Sequence, residues 1–228
     1  MTKNEKNKGA LFEDDDFGTN TGAIQVYAKQ NTMNVYKFFI DEEIGAPSTF
    51  RNFFACLDSA TENDVIEIHL NTVGGSLLTA LQLRNMIACT NAHVIAVCHG
   101  SVISAGTLIA LSCPEIVVMP NTTWMVHAAA YGAGGKQGST KEFVDFWDEQ
   151  LWKVTKDVYS GFLTEDEIED IILNDRDMWM DAEEISERLQ MKVEYDKQKF
   201  LEKQAELLEK DNSAVEKPKK KVAKKKTM

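Results

Sequence analysis

The chain has 228 residues, 43% of them apolar and 9% aromatic, with 13 Gly and 4 Pro; this suits one domain with tails and excludes a collagenous, Pro-rich or wholly disordered chain. The net charge of −11 conceals an asymmetry, because residues 211–228 hold seven Lys against Asp211 and Glu216, a local +5 that leaves residues 1–210 at −16. A field of that sign repels phosphate backbones, which argues against nucleic acid as a partner of the folded part and leaves only the Lys-rich tail for polyanions.

The N-terminal run MTKNEKNKGALFEDDDFG lacks an apolar signal core, and its acidic stretch Glu13 to Asp16 is unlike a transit peptide, so the protein is expected in the cytoplasm where it is made. Residues 1–22 read as a mobile acidic segment, 23–195 as the folded domain, and 196–228 as a charged helix and Lys-rich tail. Residues 35–40 (VYKFFI) have strand character, and Ser48 is placed to cap a helix whose Phe50, Phe53, Phe54 and Leu57 recur at helical spacing. A second strand over 65–70 (VIEIHL) leads through Thr72-Val73-Gly74-Gly75 into a helix from Ser76 to about residue 88, with Leu77, Ala80, Leu81 and Ile87 on one side. A third strand spans 94–98, followed by a loop and a short small-residue helix near Ser104 to Leu111. Strands at 115–119 and 123–127 come next.

Ser139 with Glu142 has the form of a capping box opening a long helix, on which Phe143, Trp147, Leu151, Val154 and Val158 form an apolar stripe over about five turns. Thr164 with Glu167 and Asp181 with Glu184 have the same form before two further helices. The longest mostly apolar run, Val102 to Cys113, is too short to span a bilayer. Cys56, Cys89, Cys98 and Cys113 contain no CxxC pair and sit in apolar stretches, as core thiols of a reducing compartment do.

Three segments hold residues suited to chemistry. In Asn71-Thr72-Val73-Gly74-Gly75-Ser76, paired glycines at a strand end leave a backbone N–H unshielded at a helix start; a plain turn has the same composition. In Gly100-Ser101-Val102-Ile103-Ser104-Ala105-Gly106, a serine at a helix N-terminus has an adjacent N–H for an oxyanion, although small residues there also serve close packing. His127 ends an apolar strand before Ala128-Ala129-Ala130, where its ring can enter a cleft or be an ordinary satisfied histidine. Asp177, between two helices and just before Met178-Trp179-Met180, is expected to be buried and to need a donor such as an imidazole N–H. The four histidines have no metal-site spacing.

Taken in order, NTVGGS, HGSVISAGTL, WMVH and DRDMWMDAEE resemble the ClpP family, the proteolytic subunits of the Clp protease, over roughly residues 35–190. The resemblance implies an α/β fold of ClpP/crotonase type, built of stacked β-β-α units with a protruding handle helix. It makes Ser104 the nucleophile, His127 the general base and Asp177 the orienting acid, with the N–H groups of Gly75 and Ala105 as the oxyanion hole. Gly74 and a strand containing Gly132, Gly134 and Gly135 would bind extended substrate by main-chain hydrogen bonds. The implied function is endopeptidase action on unfolded polypeptides inside a homo-oligomeric double ring of heptamers, joined through the handle helix that begins at Ser139. The subunit itself would need no cofactor; ATP would be used by a partner AAA+ Clp ATPase.

Val73 stands where the family has proline, Ala128-Ala129 where it has Gln-Pro, and Glu67 and His69 where many members carry aromatic residues of the ATPase-docking pocket. Such departures fit a divergent member, for instance one encoded by a phage and acting in an infected host's cytoplasm. Three other readings compete. A crotonase-type acyl-CoA enzyme would need no Ser, His and Asp set. A phage head-maturation peptidase would use the same triad without an ATPase, and an inactive ring subunit would be expected to lack a triad member.

Overall fold

The computed structural model describes residues 33–215, with side chains to residue 210; the expected acidic segment 1–22 and most of the Lys-rich tail lie outside the described residues. The strands are β1 (Val35–Ile40), β2 (Val65–Thr72), β3 (His93–Ile103), β4 (Glu115–Val118), β5 (Thr123–Val126) and β6 (Met178–Met180). The helices are α1 (Arg51–Ser59), α2 (Leu77–Cys89), α3 (Ala105–Ala110), α4 (Gln137–Tyr159), α5 (Glu165–Asn174) and α6 (Ala182–Val215). The strands form one sheet in the order β1-β2-β3-β5-β6, and β4 also pairs with β3. Pairing is parallel throughout except for β5 with β6. This is the α/β class expected from alternating strand and helix patterns.

Strand β3 is much longer than its apolar run of 94–98. Its first half pairs with β4 (Ile95↔Glu115 to Cys98↔Val118) and its second with β5 (Ser101↔Thr123 to Ile103↔Met125). The polar Gly100-Ser101 step conceals the second half in sequence, and Asn71 Oδ1 accepts the Ser101 N–H at 3.0 Å across it. A Cβ at Gly100 would lie 2.4 Å from that oxygen, so a larger residue there would push the Asn71 amide out of its bond to Ser101.

On one face of the sheet Ile66, Ile68, Leu70, Val94, Ala96 and Cys98 are fully or almost fully buried. There α3 packs on β2, β3, β5 and α2. The opposite face keeps Lys37, Phe39, Glu67, His69 and His99 accessible. Phe39 stacks on His69 with centroids 4.6 Å apart, and His69 on His99 at 5.1 Å. Lys37 pairs with Glu67 at 2.8 Å, Glu67 meets His69 Nε2 at 3.0 Å, and His69 Nδ1 meets His99 Nε2 at 2.8 Å. Parallel sheets are normally covered on both faces, and within the described residues this face is not.

The helix starts differ in part from expectation. Ser48 falls inside a 3-10 turn, Pro47–Phe50, and caps nothing. Ser139 lies within α4, which starts two residues earlier, and its hydroxyl bonds back to the Lys136 carbonyl at 2.9 Å. Asp181 caps α6 by accepting the N–H groups of Glu183 and Glu184, but Glu184 turns to Arg188 instead of completing the box. The Thr164/Glu167 box is complete. Cys98 and Cys113 are buried, whereas Cys89, on the far side of α2 from Ile87, is exposed, which corrects the expectation that all four thiols are in the core. Burial pushes the Cys98 thiol up to about 12 and raises that of Cys113 further. Helix α6 crosses residue 195 without a break, and no helix among the described residues is long and apolar enough to cross a membrane.

Arg188 ties α6 to the α5 cap through paired bonds to Glu167, at 2.9 and 2.8 Å, and a further one to the Phe162 carbonyl. These bonds hold the Glu167 carboxyl below its usual range against the opposing effect of its partial burial. A carboxylate with a lowered folded-state pKa stabilises fully above its unfolded value, about 4.3, and loses that contribution as pH falls through the folded value. Arg188→Met should therefore cost about 1–3 kcal/mol near neutral pH, or about 2–4 °C in melting temperature per kcal/mol for a domain of this size. Melts of the two proteins from pH 7 to 3 should converge below about pH 4.

Candidate active site

After β2 the chain passes Gly74 (φ 89°) and Gly75 (φ 140°), both in the region that side chains disfavour. Ile44 bridges this turn: its N–H donates to the Gly74 carbonyl and its carbonyl accepts from Ser76, both at 2.7 Å. In a parallel bridge the middle residue's own N–H points away from the partner, so the Gly75 N–H is left for something on the other side. Ser76 then caps α2, accepting from the Thr79 N–H at 3.3 Å.

Ser104 follows the last residue of β3 and has φ 56°, ψ −120°, a strained conformation for a residue with a Cβ. Its N–H donates to the Met125 carbonyl on β5 at 2.8 Å. Its carbonyl accepts from the Thr107 N–H at 2.9 Å and the Thr107 hydroxyl at 2.7 Å. The Ala105 N–H, first in α3, is one of the helix-start donors with no intrahelical acceptor. Gly74 approaches this turn so closely that a Cβ on it would lie 2.6 Å from the Ile103 carbonyl and 2.8 Å from Ser104 Cβ.

His127 is the residue after β5, half-exposed beside Met125. The antiparallel register of β5 and β6, Trp124↔Met180 through Val126↔Met178, carried one step further sets His127 opposite Asp177. Neighbouring residues so paired have Cα atoms about 4.5–5.5 Å apart. Asp177 is exposed, not buried as its neighbours suggested, because Met178 and Met180 turn into the core while Asp177 lies at the strand's open end. Among the described residues no hydrogen bond links the Ser104, His127 and Asp177 side chains. In an unliganded site such bonds are often long and tighten only with substrate.

Ser104, His127, Gly74, Gly75 and Ala105 line one cavity of about 590 Å³, with Glu43 and Tyr159 on its walls. Asp177 does not line it. A second, smaller space of about 210 Å³ continues from it past Ala129 and Ala130, between Leu77 and Leu78 on α2 and Phe143, Trp147 and Leu151 on α4. The expected strand of Gly132, Gly134 and Gly135 is absent: residues 128–136 pair with nothing, and Gly132 and Gly134 have open space around them. A run with so many glycines has little to hold it extended without a partner strand. Two buried groups beside the site carried no separate signal in sequence, Thr107 and Tyr159, whose oxygens are 2.7 Å apart. A threonine three residues after the serine is the spacing of a local hydroxyl-to-carbonyl bond, which identifies it in retrospect.

A serine and an imidazole thus share one cavity with the Gly75 and Ala105 backbone, and a carboxylate stands at the adjoining strand end outside it. The chain belongs to the Clp protease family, which matches it over residues 25–188. It is 29% identical over 136 residues to the ATP-dependent Clp protease proteolytic subunit of Lactococcus lactis subsp. cremoris (strain SK11), covering 58% of this chain and 67% of that one. The protein of the same name from Leuconostoc citreum (strain KM20) is 30% identical over 135 residues, 56% of this chain and 66% of the relative. The match thus spans about two thirds of these relatives.

The contact between the glycine turn and the serine turn gives a test. With Ser104 as the reactive serine, the reading proposed below, Gly74→Ala should lower its fluorophosphonate labelling by about 100-fold, the scale of loss for a displacement of about 1 Å at a reacting group. Mass spectrometry of the labelled protein reads the effect, and labelling at the wild-type rate would mean that the two turns move independently.

Proposed function

We propose that this protein is a serine endopeptidase in which Ser104 attacks a peptide carbonyl, His127 takes its proton and Asp177 orients the imidazole, while the Gly75 and Ala105 N–H groups receive the oxyanion. The observation that carries this reading is the strand register: β3 beside β5, and β5 beside β6, bring the three residues to neighbouring strand ends. Acylation would release the amine end of the substrate, and water would then release the acyl end. The apolar space between α2 and α4 suits an apolar substrate side chain next to the scissile bond. The unpaired stretch 128–136 suits an extended polypeptide.

The expected assembly into face-to-face rings is supported by α4. Its stripe grades from buried Val158 to Phe143, which is 43% exposed, and the neighbouring Phe146 is 57% exposed. Large apolar side chains each gain about 1.5–3 kcal/mol on leaving water. As for an ATPase partner, the row Lys37, Glu67, His69 and His99 is polar, with Glu67 and His69 where many family members carry aromatic residues of the docking pocket. That favours a second reading, a peptidase that acts on accessible or unfolded polypeptides without an ATPase.

Two experiments test these proposals. Ser104→Ala should abolish cleavage of a fluorogenic peptide with an apolar residue before the scissile bond, and also fluorophosphonate labelling, while the melting temperature stays within a few degrees of wild type; persistent labelling would move the nucleophile elsewhere. Phe146→Glu, at an exposed position, should shift the sedimenting species from double rings to single rings or monomers, and a wild type that sediments as a monomer at full activity would end the barrel reading.

A further inference from the structure

Tyr159, the last residue of α4, and Thr107 on α3 are 7% and 0% exposed. Their oxygens lie 2.7 Å apart, and Thr107 Oγ1 lies 2.7 Å from the Ser104 carbonyl oxygen. The proton directions follow from chemistry alone. A carbonyl only accepts, so the threonine hydroxyl donates to it, and the tyrosine hydroxyl must then donate to the threonine. Burial pushes the Tyr159 phenol up to about 12, so it keeps its proton at neutral pH.

The acceptor of this chain is informative. The Ser104 carbonyl and the Ala105 N–H belong to one planar trans peptide unit and point in opposite directions. Whatever pins the carbonyl aims the N–H. Here two donors from Thr107 hold the carbonyl on the buried side, which turns the Ala105 N–H toward the cavity that also holds His127. Ser104, at φ 56°, needs such a restraint, because the strained conformation persists only where its surroundings over-determine it.

We propose that Tyr159, acting through Thr107, is a positioning residue that fixes the Ser104–Ala105 peptide plane and links the aim of the oxyanion donor to the seat of α4. The inference rests on the serine-peptidase reading for its effect on catalysis, but not for its effect on the turn. Any displacement of the α4 C-terminal turn shifts the tyrosine hydroxyl, and the donor's aim shifts with it.

The test uses the full chain with Thr107→Val, which is nearly isosteric but lacks the hydroxyl, Thr107→Ser, which restores it, and Tyr159→Phe. Thr107→Val should lower kcat and the fluorophosphonate labelling rate by about 10- to 100-fold with KM within about twofold, because the N–H acts on the transition state rather than on substrate binding. Tyr159→Phe should lower both rates less, by about 3- to 10-fold, and Thr107→Ser should recover most of the wild-type rate. Amide hydrogen exchange of a peptide spanning residues 102–108 should quicken in the valine and phenylalanine variants and not in the serine variant. Wild-type rates and exchange in Thr107→Val, or equal losses in the valine and serine variants, would overturn the proposal and leave the pair as packing. A wild type that takes no label would end the serine-nucleophile reading by itself, and the exchange measurement would still decide whether the relay holds the turn.

Discussion

The site depends on one strand serving two neighbours in succession along the same edge. Strand β3 pairs with β4 until Cys98 and with β5 from Ser101. Without the change of partner, β3 would not deliver Ser104 to the end of β5. The Ser104 N–H could not then reach Met125, and His127 would have no serine beside it. Gly100 and Asn71 make the change possible, one by lacking a side chain and the other by accepting the Ser101 N–H in the gap. Strand β6 completes the set by its antiparallel register, although it contributes only three residues to the sheet.

Around this framework the chain holds Ser104 in a conformation that an isolated residue would leave. A strained residue of this kind costs on the order of 1–3 kcal/mol. The bonds from Thr107 and to Met125 are each worth about 1 kcal/mol net, which is enough together to offset it. The close approach of Gly74 removes the space into which the turn would relax. Glycine at 74 is thus required both by its own φ and by its neighbour's position.

Much of this was legible in sequence because it follows from residue types with narrow uses. Strand β1 is seen as its apolar run, and the Thr164/Glu167 cap is where its spacing put it. The paired glycines, the serine before Ala-Gly and the strand-terminal histidine were recognisable as candidates, and the cavity joins them. Tertiary choices were hidden. Nothing in Ser139 says that its helix starts two residues earlier, since Gln137 and Gly138 neither forbid nor demand it. Met178 and Met180 turn to the buried face of a strand paired with β5, so the apolar residues near Asp177 report a strand that begins beside it and not a pocket around it. The Tyr159 hydroxyl was invisible because its residue merely follows Val158, the last member of the apolar stripe, and only the fold sets Thr107 across from it.

The polar row on the uncovered sheet face also guards against misalignment. Alternating burial penalises a strand that slips by one residue, because every side chain then changes face. It does not penalise a slip of two, which returns each apolar residue to the correct side. In the present register Lys37 faces Glu67 and Phe39 faces His69. Moving β1 by two toward the end of β2 would instead set Lys37 against His69 and Val35 against Glu67, leaving the carboxylate without its ammonium partner. Since Glu67 also bonds His69, and His69 bonds His99 on the next strand, the error would be felt across three strands. The row thus acts as a key for strand alignment, and replacing it with aliphatic residues would leave the core intact while making the even-numbered misalignments harder to tell from the native one.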